Sequence, residues 1–133
     1  MQGHTIFLLE DNAEMSRMYE RAFRLRGYQV ILADDGVKAL AALDAMKDKP
    51  SALILDIMVP KMNGLDLMRD LRSKEIFKDV PIVVLTNSFY HDDSARFLDA
   101  GADLYLVKIE HQIKEVTEKV EALIHNGRSS SAK

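Results

Sequence analysis

Five side chains of this sequence carry chemistry at comparable places. Glu10 and Asp11 follow the apolar run Thr5–Leu9, Asp56 closes the run Ala52–Asp56, Thr86 follows Pro81–Leu85, and Lys108 follows Asp103–Val107. A carboxylate that ends an otherwise apolar run needs a partner, because burying an unpaired charge is costly. Two unit charges about 4 Å apart interact by about 4 kcal/mol at an effective dielectric near 20, so three carboxylates drawn together demand compensation. One divalent cation and the Lys108 ammonium would supply it, and hard carboxylate oxygens suit Mg²⁺ or Mn²⁺. So few protein ligands would leave coordination positions open for water or a phosphate oxygen. Cation, ammonium and the Thr86 hydroxyl are together the groups that neutralise the equatorial oxygens of a phosphoryl group in transfer. Asp56 is then the natural acceptor.

The elements that must position these groups are legible as a pattern. Five runs of strand length (Thr5–Leu9, Tyr28–Ala33, Ala52–Asp56, Pro81–Leu85 and Asp103–Val107) alternate with helical periodicities. The first, third and fourth runs contain apolar stretches without alternation, as in a parallel sheet covered on both faces. Met15, Met18, Tyr19, Ala22 and Phe23 mark a first helix that Gly27 can stop; Val37, Leu40 and Leu43 mark a second, and Leu65, Met68 and Leu71 a third. Ala95 and Leu98 mark a fourth, closed by Gly101, and Ile109, Ile113, Val116, Val120 and Leu123 a fifth opposite Glu110, Lys114, Glu118 and Glu121. This alternation predicts an α/β fold with a doubly wound, five-stranded parallel sheet. Ligands of such folds sit beyond the carboxyl ends of the strands, where the five polar residues fall.

Composition narrows the functional classes. The 133 residues fit one domain, predicted over 1–126, with the small polar segment 127–133 expected as a flexible tail or linker. Lys+Arg 18 against Asp+Glu 21 gives net charge -3, which disfavours direct nucleic-acid binding. Cys is absent, removing disulfides, thiolate metal sites and cysteine nucleophiles. No apolar run approaches the roughly 20 residues of a membrane span, and no signal-peptide pattern opens the chain, so a cytoplasmic location without membrane association is expected.

Glu10-Asp11, Asp56, Pro60 and Gly64 four and eight residues beyond it, Thr86, Tyr105 and Lys108 form an ordered set that resembles the receiver domain of two-component response regulators, over Thr5 to Ile124. The resemblance implies a flavodoxin-like fold with strand order 2-1-3-4-5. It implies a phosphorylation-dependent switch in a phosphorelay, a phosphoprotein that catalyses only its own phosphorylation and slow self-dephosphorylation. The phosphoryl donor would be a phosphohistidine on a histidine kinase or histidine phosphotransfer protein. Asp11, Asp56 and the backbone carbonyl of Met58 would ligate Mg²⁺ (or Mn²⁺), with Glu10 acting through a water. Lys108 and Thr86 would stabilise the phosphoryl group, and Thr86 with Tyr105 would form the switch. A downstream protein target would read the face of helix four, strand five and helix five, through which dimerisation is also expected.

Each residue has a plainer reading. Asp11 with Glu14 three residues later resembles a helix capping box. Arg17, Arg21 and Arg24 read as a solvated stripe, the four histidines as surface residues, and the seven methionines as mostly packing. Two positions depart from the family pattern: Ile109 stands where proline usually follows the lysine, and Asn87 where a small residue is common. A trans Lys108–Ile109 bond is expected, since a cis bond there would cost about 2.5–4 kcal/mol. These departures motivate the alternative of a degenerate receiver acting as a phosphorylation-independent interaction module. An aspartyl-phosphate hydrolase is disfavoured because Met58 occupies the place of its second aspartate. A flavin binder is disfavoured because Glu10–Glu14 is acidic where a phosphate loop needs Gly and hydroxyls.

Overall fold

The structure, a computed structural model, describes residues 4–59, 63–87 and 93–126. Strands β1 (Thr5–Leu9), β2 (Gln29–Ala33), β3 (Ala52–Asp56), β4 (Ile82–Thr86) and β5 (Leu104–Val107) alternate with helices α1 (Ala13–Leu25), α2 (Gly36–Asp44), α3 (Gly64–Ser73), α4 (Asp93–Asp99) and α5 (Ile113–Asn126). The strands form one parallel sheet in the order β2-β1-β3-β4-β5. Tight 3-10 turns occupy Glu75–Phe77 and Lys108–Glu110. Pro60 and the predicted tail, residues 127–133, lie outside the described residues.

Continuous apolar runs make the central strands because both faces of the sheet are covered. β3 and β4 are buried at every position. Side chains alternate between faces along each strand. Ile6, Leu8, Ile54, Val83 and Leu85 meet Tyr19 and Phe23 of α1 and Val116, Val120 and Leu123 of α5. Phe7, Leu9, Leu53, Leu55 and Val84 meet α2, α3 and α4 through Ala39, Leu43, Leu67, Met68, Leu71 and Phe97. No helix among the described residues is long and apolar enough to cross a membrane.

Several sequence expectations are corrected here. α2 forms as predicted, but it buries Gly36, Ala39 and Leu43 and leaves Val37 and Leu40 exposed. This helix covers the edge strand β2, so part of its circumference faces solvent. Ile109 does not join the apolar face of α5: it sits in the 3-10 turn, 69% exposed, and the chain is extended at His111 before the helix begins at Ile113. Met18 is likewise exposed on the flank of α1. Packing accounts for only some of the methionines: Met68 is buried, Met15 and Met46 are half-buried, Met18 and Met58 are exposed, and Met1 and Met62 fall outside the described residues. Nor are the histidines uniformly on the surface. His4 is half-buried, edge-on to the Tyr28 ring, and His111 is half-buried beside Glu115; His125 is exposed and His91 lies outside the described residues.

Both predicted glycine stops are present, with φ 95° at Gly27 and 122° at Gly101. Their surroundings differ. A Cβ on Gly27 would meet nothing within 4 Å, whereas one on Gly101 would lie 2.6 Å from Cγ of Arg72. That arginine cannot yield easily. Its guanidinium donates to the carbonyls of Gly101, Phe77 and Val80 and to Oδ2 of Asp103, which also accepts the Ile82 N–H. One side chain thus ties the end of α3 to the starts of β4 and β5 and to the turn after α4. We therefore expect Gly27→Ala to cost about 1 kcal/mol of unfolding free energy, from positive φ alone, and Gly101→Ala about 3 kcal/mol, from positive φ plus overpacking. Urea denaturation of the two variants checks this; equal losses would mean that the Arg72 clamp yields freely.

Candidate functional site

The site lies where the chain leaves β1 in one direction across the sheet and β3 in the other. β1 and β3 are adjacent, Leu9 opposite Leu55, so Glu10 and Asp56 emerge side by side from neighbouring strands. β4 and β5 are paired Thr86 to Val107, so Thr86 ends its strand inside the sheet and Lys108 is the first residue beyond it. Asp11 follows Glu10 but is exposed. Asn12, rather than Asp11, caps α1: its Oδ1 accepts the Met15 N–H at 2.9 Å. The capping-box reading of Asp11 therefore falls, and its carboxylate remains available to the cleft.

Lys108 reaches back across the strand ends, through a trans bond to Ile109. Its Nζ donates to Oδ2 of Asp56 at 2.7 Å and to Oε1 of Glu10 at 2.6 Å. The other Asp56 oxygen accepts the Met58 N–H at 2.9 Å. Glu10 Oε2 accepts the Asn12 N–H at 3.0 Å. Burial is deep: Glu10 is 1% exposed, Asp56 2% and Lys108 8%. One carboxylate oxygen from each of Glu10, Asp11 and Asp56 falls within 4.8 Å of the others.

The electrostatics follow from one ammonium serving two buried carboxylates. Burial opposes the charged form of Lys108, but hydrogen bonds from its ammonium to Asp56 and Glu10, and their charges, outweigh this and hold its pKa above the ordinary lysine value. Glu10 fares differently. Burial raises its pKa, and the nearby Asp56 charge adds to that, while Lys108 and the Asn12 N–H offset the rise only in part. Sharing a single cation leaves the carboxylate group undercompensated.

A cleft of about 600 Å³ opens over these groups, bounded by Glu10, Asp11, Asn12, Met15, Asp56, Met58, Asn87, Lys108 and Ile109. Met58 is 61% exposed on its rim. Thr86 is fully buried at the end of β4. Tyr105, on β5, is half-buried and packs at 5.8 Å, tilted, on the Phe97 ring of α4. Arg17, Arg21 and Arg24 are exposed as expected, with Arg24 paired to Glu20. Two contacts escaped sequence reasoning: the Asn12 cap, signalled only by an amide just before the helix, and the Glu10–Lys108 bond, whose partners stand 98 positions apart.

The family model for the response regulator receiver domain matches residues 6–121. This chain belongs to that family. It is a signalling domain of the two-component type rather than a conventional enzyme. Response regulator MprA of Mycobacterium leprae (strain TN) is 36% identical over 127 residues, covering 96% of this chain and 54% of the relative. MprA of Mycobacterium avium (strain 104) is 38% identical over 119 residues, 90% of this chain and 50% of the relative. The receiver domain thus spans about half the length of these relatives. Among solved structures, the receiver domain of sensor histidine kinase PA1611 from Pseudomonas aeruginosa PAO1, described with magnesium coordinated in its active-site cleft, superposes with TM-score 0.79 at 29% identity, covering 92% of this chain and 98% of that one. Chemotaxis response regulator CheY4 of Vibrio cholerae shares the fold, with TM-score 0.80 at 23% identity over 90% and 98% of the two chains.

The donor set of this receiver domain fits a divalent cation. Three hard carboxylates converge, one ammonium offsets one of their charges, and the formal remainder is minus two. In metal-free buffer Asp11→Asn is expected to raise unfolding stability by about 1 kcal/mol, because one of three crowded like charges disappears. Mg²⁺ at about 100 times its Kd should stabilise the unaltered protein by about 2.7 kcal/mol, and most of that gain should vanish in Asp11→Asn. Urea titrations with and without Mg²⁺ measure both; an equal gain in the two proteins would sink the assignment of Asp11 as a ligand.

Proposed function

We propose that this receiver domain accepts a phosphoryl group on Asp56 from a phosphohistidine of a partner kinase or phosphotransfer protein. The observation that carries this reading is the buried Lys108 ammonium 2.7 Å from Asp56 Oδ2, at the floor of an open acidic cleft. Asp11, Asp56 and the Met58 backbone carbonyl are the residues that would hold Mg²⁺ or Mn²⁺, with Glu10 one water further out. The cation supplies charge neutralisation for the phosphoryl oxygens and the acceptor carboxylate.

In the transfer step an Asp56 oxygen bonds to phosphorus as the bond from phosphorus to the donor's imidazole nitrogen breaks. The electron pair stays on the imidazole, which takes a proton from solvent. Lys108, just past the end of β5, stabilises charge on the equatorial oxygens with little movement. The product replaces a carboxylate by an acyl phosphate of roughly minus two charge, drawing Thr86 towards the new oxygens. Tyr105, which packs on the Phe97 ring in the resting arrangement, then swings inward into the space Thr86 vacates, and the change is read on α4, β5 and α5 by a downstream protein or a second copy. The shift requires contacts that are better in the phosphorylated arrangement than in the resting one.

A phosphorylation-independent interaction module is the rival reading, motivated by Ile109 and Asn87. Lys108 meets Asp56 even though Ile109 follows it, and the Ile109 side chain projects outward; both facts support the switch. Incubation with an acyl phosphate such as acetyl phosphate, read by intact mass, should add a phosphoryl group only with Mg²⁺. Asp56→Asn should abolish labelling, and Lys108→Ala should slow it about 100-fold, as for loss of one electrostatic stabiliser of a transition state. Undiminished labelling of Asp56→Asn would remove Asp56 as acceptor.

A further inference from the structure

Lys108 is a long, flexible side chain that must hold its ammonium in one place. Ordering such a stem costs rotamer entropy. Asp56 is a poor sole anchor, because its carboxylate is the group consumed when phosphoryl transfer occurs. Glu10 is not consumed. Its backbone N–H continues the β1–β2 ladder to the Ala33 carbonyl at 3.0 Å, fixing the main chain from which it springs. Its Oε2 is fixed by the Asn12 N–H, and Oε1 is presented to Lys108.

We propose that Glu10 is the positioning residue for Lys108, a carboxylate clamped at one oxygen by the α1 cap and holding the ammonium over Asp56 with the other. This assignment rests on the phosphoryl-acceptor reading of the cleft and names a duty beyond a charge near the cation. A carboxylate oxygen has lone pairs enough to meet a water as well, so the two duties are compatible. Chain length is what distinguishes them. Aspartate at this position would keep the charge but retract the oxygens by about one C–C bond, roughly 1.5 Å, opening the 2.6 Å contact to about 4 Å, beyond hydrogen-bond reach. Glutamine would keep the length but lose the reciprocity. One amide oxygen can accept from Asn12 or from Lys108, and the amide nitrogen then confronts the other donor.

Both substitutions therefore free Lys108 by different routes. The direct test is the reactivity of Lys108 towards an amine-acylating reagent in metal-free folded protein, followed by peptide mass spectrometry with exposed lysines as internal standards. In Glu10→Asp and in Glu10→Gln, Lys108 should be acylated about tenfold faster than in the unaltered chain, and Mg²⁺-dependent labelling by acetyl phosphate should fall by about tenfold, the scale on which partners of site residues act. Circular dichroism confirms that each variant is folded, and labelling is compared with Mg²⁺ saturating for each protein, so that a change in Mg²⁺ affinity does not enter the comparison. Protection of Lys108 that survives in both variants would overturn the proposal, as would full labelling activity in Glu10→Asp. Failure of the unaltered chain to label at all would count against the acceptor reading; accelerated acylation of Lys108 in the variants would still establish the clamp.

Discussion

One buried ammonium shared between two carboxylates, with a third acid at the cleft mouth, is the interaction on which the rest of this structure turns. Desolvating ions costs several kcal/mol each unless geometry and hydrogen bonds compensate. Here Lys108 gains from its two contacts, while Glu10 retains part of its burial penalty. The metal-free cluster is therefore an undercompensated group of negative charge at the end of a well-packed sheet. Such a site is disposed towards a small, hard cation.

The fold delivers these charges by strand order rather than by local sequence. β1 and β3 lie side by side, so the residues after Leu9 and Leu55 meet, although Glu10 and Asp56 stand 46 positions apart in the chain. β1 and β3 are buried on both faces, which makes their direction and register rigid. The polar residues are therefore held at the rim by the apolar residues beneath them. At the cleft, Asp11, Met58 and Ile109 meet solvent.

Away from the site, Arg72 performs the complementary task at the opposite ends of β4 and β5. It satisfies carbonyls that would otherwise terminate unpaired near the surface and joins them to the buried Asp103. This clamp sits where α4 ends and β5 begins, close to Phe97 in the last turn of α4 and Tyr105 near the start of β5.

Strand count, helix count, parallel architecture and the five polar residues at the strand ends were legible in the sequence, because apolar runs and helical spacing are local signals. The family resemblance supplied strand order, and the observed sheet agrees with it. Less legible was the phase of individual residues: Val37, Leu40, Met18 and Ile109 look like core by spacing, yet edge position and a 3-10 turn leave them in solvent. Asn12 displaced Asp11 as the cap because both are competent cap residues, and only the path of the chain selects between them. The pairing of Glu10 with Lys108 was beyond reach, since it depends on the Lys108 side chain reaching from the end of β5 across the ends of β4 and β3 to the end of β1. Sequence alone determined which chemical groups are present and on what kind of scaffold; tertiary structure decided which of them share a proton-bearing partner, because distances of 2.6 and 2.7 Å are set by strand register and packing rather than by composition.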